Sequence, residues 1–215
     1  MISFRHPAKF DKEATLILID KEQIKNRNFP VIPKTLKESV QHVLDAGQFA
    51  ADNGQLFPLI NGKKVVLLTG VGKKSDLSTT ALRSTLRGAL LSSYLKKVKD
   101  VEIVVHDPKD DVIKAVIEAS LIGTYAWEKY KTPDKNDRTV AKKHVFLAAA
   151  PKREYAQAAT ICEGVNLTRD LINDNADTIT STYFEKTIRD LVKRKKNISL
   201  EVLNKKEMEK YGLGL

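Results

Sequence analysis

The chain has 215 residues, with 37 Lys and Arg against 27 Asp and Glu, a formal net charge of +10. Hydrophobic residues make up 42%, enough for a core, so a disordered tail is excluded; no apolar run approaches the roughly 20 residues that a spanning helix needs. One cysteine, Cys162, excludes a disulfide framework and counts against a thiolate zinc site; residues 1–7 carry no apolar signal region, so a reducing cytoplasm is expected.

The elements alternate along the chain. Ala14 to Ile19 is a short apolar run of the kind that forms a buried strand. Leu36, Val40, Val43, Leu44 and Gly47 recur near helical spacing and predict a helix over 35–50. Asp52-Asn53-Gly54 is a turn signal, and Asn61-Gly62 predicts a hairpin between Leu59-Ile60 and the strand Val65–Thr69. That strand runs into Gly70-Val71-Gly72. Ser78 then stands as an N-cap, and Leu82, Leu86 and Leu90 predict a helix continuing to about Lys97. Val101–Val105 is the next strand. Asp110 or Asp111 opens a helix with Val112, Val116, Ala119 and Ile122 on one face, and His144–Ala148 is a further strand. Thr132–Arg138 reads as a polar surface loop. This order predicts an α/β layer with mostly parallel pairing.

After Pro151 the character changes. A helix from about Lys152 to Asn173 carries Ala158, Cys162, Val165 and Ile172, and a second runs from near Thr180 to near Lys196. Ile198 to Leu203 alternates like a strand, and Asn204 caps a last short helix. The ending Tyr211-Gly212-Leu213-Gly214-Leu215 resembles the start of a strand or tight turn more than a solvated terminus. It predicts that the chain is a fragment of something longer; the bland alternative is an apolar tail docked on its own domain.

The charge is uneven. Residues 1–150 hold 25 basic and 17 acidic residues, a net +8, whereas residues 151–215 hold 12 and 10. A basic excess suggests an anionic partner, but the cations are scattered in pairs (Lys63-Lys64, Lys73-Lys74, Lys96-Lys97, Lys142-Lys143), as on a solvated lysine-rich surface. The run Lys193-Arg194-Lys195-Lys196 suits a helix C-terminus.

Candidate chemistry is sparse. Gly70-Val71-Gly72 lies between a strand and a helix, where backbone N–H groups hold phosphate in some folds. The third glycine of a dinucleotide fingerprint is absent, Ser75 standing in its place, and a tight strand-to-helix turn explains the pair better. His6, His42, His106 and His144 are far apart. His106, before Asp107-Pro108, reads as an exposed strand-end residue. Cys162 reads as a small core residue and Asp110-Asp111 as carboxylates favoured by a helix dipole. Asp174 and Asp177, around Asn173 and Asn175, read as a polar turn rather than a cation site. Gly-x-Ser-x-Gly is absent.

Glu163-Gly164-Val165-Asn166-Leu167-Thr168-Arg169-Asp170-Leu171-Ile172-Asn173, with Ala176, Thr178-Ile179-Thr180 and Tyr183-Phe184, resembles a helix and turn of the leucyl (cytosol) aminopeptidase family. Leu67 to Lys73, the helix at Ala115–Tyr130 with Gly123, Tyr125, Trp127, Tyr130 and Lys131 after it, and the passage from Glu201-Val202-Leu203 to Gly214 are similar to other family passages, so the likeness runs from about Val65 to Leu215. Departures stand at Asn175 and Asp177, where the family has Pro and Asn, and at Ser181, where it has Pro.

The resemblance implies a macro-domain-like N-terminal α/β domain with a mixed sheet flanked by helices over 1–150. A linker helix over 151–178 and the beginning of a zinc-exopeptidase catalytic domain over 179–215 would follow. It implies two divalent metal ions, zinc or manganese, in the remainder of that second domain, with a hydroxide generated between them. The family's catalytic and metal-binding motifs lie downstream of Gly212-Leu213-Gly214. No residue here is therefore assigned as catalytic, metal-ligating or ligand-binding, and this chain alone is expected to be inactive. The expected role is the non-catalytic portion of a leucyl aminopeptidase-like metallopeptidase. It would support a hexameric homo-oligomer and access to the active site, with peptide substrates and no membrane partner. The alternative is a binding module for DNA or an ADP-ribose-like nucleotide, motivated by the basic first part and the Gly70-Val71-Gly72 loop.

Overall fold

A six-stranded sheet is built from the apolar runs of the first 150 residues. The computed structural model describes residues 1–5, 10–106, 109–132, 144–193 and 195–214, the side chain of Asn61 excepted. His6, Asp107-Pro108, positions 133–138 of the polar loop, Lys142-Lys143, Arg194 and Leu215 lie outside the described residues. By chain proximity the protein divides into two units, Met1–Leu167 and Thr168–Leu215.

In the first unit, β1 (Ile2–Arg5) is followed by β2 (Ala14–Ile19), α1 (Lys21–Asn26), α2 (Lys34–Asp45), β3 (Leu56–Asn61) and β4 (Lys64–Gly70). Next come α3 (Thr79–Leu90), β5 (Asp100–Val104), α4 (Asp110–Leu121), β6 (His144–Ala148) and α5 (Arg153–Asn173), whose last residues pass into the second unit. The sheet order is β1-β6-β5-β2-β4-β3. Every pairing is parallel except the β3–β4 hairpin, where Asn61 pairs Lys64 around Gly62 at φ +62°. Pro58 is tolerated because β3 is an edge strand.

All six residues of β2 are buried, as expected of a central parallel strand covered on both faces. The period of two divides them. Leu16 and Leu18 join a core with Leu82 and Leu86 of α3 and Ile113 and Val116 of α4. Ile17 and Ile19 join a second core with Leu36, Val40 and Val43 of α2, and Ile24 of α1 packs against it. Tyr155 and Cys162 bring α5 into the first core.

Several sequence expectations change. The helix read over Ala115–Tyr130 ends at Leu121, where the N–H groups of Ile122 and Gly123 both return to the Glu118 carbonyl. The helix expected over 35–50 stops at Asp45, because Gly47 takes φ +65° and the N–H of Gln48 returns to the carbonyl of Val43. The helix expected to reach Lys97 stops at Leu90. The Ser92 hydroxyl donates to the Ala89 carbonyl, and a short 3-10 turn buries Leu95 completely. β1 and α1 were not legible as elements, although Asp20-x-x-Gln23 forms a full capping box at α1.

The second unit holds the end of α5, then α6 (Ser181–Val192) and α7 (Lys205–Lys210). Thr180 caps α6, which stops at Val192 rather than near Lys196. The Asn204 side chain caps α7 by accepting the Glu207 N–H, and the Asn204 N–H donates to the Glu207 carboxylate in return. Ile198–Leu203, expected as a strand, is not one: no strand is present among the described residues of this unit, so its alternating backbone has no ladder to join.

Candidate functional site

The connections at the C-terminal ends of β4, β2 and β5 meet around a cavity of about 140 Å³. Three parallel strands end side by side there. Leu18, Asp20 and Gln23 come from the end of β2 and the start of α1; Val71, Lys74 and Leu77 follow β4. Val105, His106 and Lys109 follow β5, and Leu82, Asp111 and Val112 close the wall from α3 and α4. The helices after β2 pack on one face of the sheet, and those after β4 and β5 pack on the other. Such a divergence opens a crevice at the strand ends, the usual ligand position in open α/β sheets.

The Gly70-Val71-Gly72 turn borders this crevice and works as a structural turn. An added Cβ on Gly70 would meet the backbone oxygen of Asp52, and Gly72 takes φ +76°. The N–H groups of Gly70, Val71 and Gly72 donate to the carbonyls of Gln55, Ile19 and Ala51 at 2.8, 3.0 and 2.9 Å. None is left to cradle a phosphate.

Gln23 is the unusual lining residue. Its side chain is only 7% exposed. The carbonyl end accepts the N–H of Asp20 at 3.0 Å, which sets the orientation of the amide. The nitrogen end has no hydrogen-bond partner among the described residues. A buried donor left unpaired costs about 1–3 kcal/mol.

Other polar groups are structural. His42 is exposed on α2, and His106 is exposed at the end of β5, as its sequence position suggested. His144 lies at the opposite end of the sheet, its Nε2 2.9 Å from the Ser3 hydroxyl and its Nδ1 3.9 Å from Asp100. Serine, imidazole and carboxylate stand in hydrolase order there, but 3.9 Å is too long for the bond that would orient the ring. Burial pushes the Cys162 thiol up, and Glu118 adds to it, so this cysteine is a poor nucleophile. Asp110 receives hydrogen bonds from Lys152 Nζ and Tyr155 Oη, both at 2.7 Å. The Lys152 bond first and the Tyr155 bond second hold its carboxyl below the usual range, and α5 is tied to the start of α4.

Asn166, in the stretch that carried the family likeness, donates its amide to the Leu121 carbonyl at 2.8 Å. It closes the C-terminus of α4 against α5, a packing role legible only once both helices are placed. Asn175 and Asp177 form a polar turn in which the Asn175 side chain accepts the Asp177 N–H. Among the described residues no group of three or more His, Cys, Asp or Glu could hold a metal ion. No described helix is long and apolar enough to cross a membrane.

A mixed, mostly parallel sheet with helices on both faces and a crevice at its strand ends defines an α/β domain. Residues 16–134, from β2 past the end of α4, match the model of the cytosol aminopeptidase family, N-terminal domain. The chain belongs to that family of aminopeptidases. A probable cytosol aminopeptidase of Protochlamydia amoebophila is 34% identical over 198 residues, covering 84% of this chain and 38% of the relative. One from Geobacter sp. (strain M21) is 30% identical, covering 69% and 31%. The chain thus matches only 31–38% of the length of these relatives. A mutant of tomato leucine aminopeptidase superposes with a TM-score of 0.71 at 15% identity, over 98% of this chain and 46% of that one. The bottromycin maturation enzyme BotP gives 0.68 at 18%, over 94% and 41%. At these identities the two structures speak to the fold alone.

Proposed function

We propose that the chain is the N-terminal, non-catalytic portion of a leucyl aminopeptidase-like, metal-dependent peptidase that removes N-terminal amino acids from peptides in the cytoplasm. The observation that carries this reading is the family match across residues 16–134, joined to a relative 34% identical over 84% of the chain. On this reading residues 1–150 are the accessory domain, 151–178 the linker helix and 179–215 the first part of the catalytic domain. The accessory domain supports the homo-oligomer, a hexamer, and shapes access to a two-metal centre carried by the rest of the parent.

The pure chain is expected to show no turnover of a leucyl-amide substrate with added manganese or zinc. Metal-dependent turnover that survives further purification would overturn the non-catalytic assignment. Joining the chain to the catalytic portion of its parent is expected to yield a metal-dependent aminopeptidase that sediments as a hexamer. A monomer with full activity would remove the oligomer role.

A further inference from the structure

No further inference is drawn: the strongest candidate, the groove between α6 and α7 with the exposed Phe184 and Leu191 of α6, lies in the segment already proposed as the first part of the catalytic domain, and nothing in the structure shows what covers it.

Discussion

The two units use their apolar residues in opposite ways. In Met1–Leu167 the large side chains are hidden: Leu16, Ile17, Leu67, Leu68, Leu86 and Ile103 have no exposed surface, and they lie in two cores on either face of the sheet. In Thr168–Leu215 no described side chain is buried, and Phe184, Leu191, Ile198, Tyr211 and Leu213 are all at least 46% exposed. The second unit is held instead by local devices. These are the Thr180 cap, the Asn204–Glu207 capping box and the Glu185–Arg189 pair one helical turn apart. Burial contributes roughly 25 cal/mol per Å² of apolar surface, whereas helices of twelve residues or fewer are marginal by themselves. Stability therefore resides in the first unit, and substitutions should report it unevenly.

The sharpest contrast is between two leucines. Leu67→Ala opens a void in the first core and should cost about 2–5 kcal/mol, whereas Leu191→Ala, already half exposed, should cost less than about 1 kcal/mol. Urea denaturation of both variants measures the difference, and equal losses would break the comparison. Gly70→Ala is the next largest. Its Cβ must displace the backbone of Asp52, so about 1–3 kcal/mol should be lost although a methyl group is added. A neutral result would mean that the segment around Asp52 moves freely.

Asn166→Ala removes the bond to the Leu121 carbonyl and should cost about 0.5–1.5 kcal/mol, with faster amide exchange at the end of α4. Unchanged exchange would mean that α5 does not close that helix end. The smallest effect is the response to acid. Arg5 holds Asp11 at about 2, and Lys152 with Tyr155 holds Asp110 below the ordinary 3.8. Both carboxylates are favoured in their charged form by the fold. Their contribution is complete above the ordinary value and is lost as pH falls through the lowered one, for Asp11 toward pH 2. Asp11→Asn and Asp110→Asn should each flatten the fall in melting temperature below pH 4. A slope as steep as that of the parent chain would show that neither pair links folding to protonation.

The strands β2, β4, β5 and β6 and the helices α3 and α4 were legible because their apolar residues recur at periods that do not depend on the rest of the molecule. The Asn61-Gly62 hairpin and the Ser78 and Asn204 caps were legible because turn and capping residues act on their immediate neighbours, and Cys162 was legible as a small core residue. The Ile198–Leu203 alternation misled, since a strand exists only where a neighbour accepts its hydrogen bonds. β1 was missed because four residues carry almost no period; its pairing with β6, 143 residues away, makes it a strand. The burial of Gln23 was not legible, because an Asp-x-x-Gln cap is a local feature that says nothing of what packs over it.

Composition and periodicity alone determined that this is an α/β chain with mostly parallel strands. The residues of the 163–173 helix already pointed to the aminopeptidase family. The chain fold decided which strand ends lie side by side and on which face each helix packs. It therefore decided that Asp20, Gln23, Lys109 and Asp111, separated by up to 91 positions, line one cavity. Local preferences act over one or two turns of chain, whereas a site at strand ends is created by the order in which the strands pair.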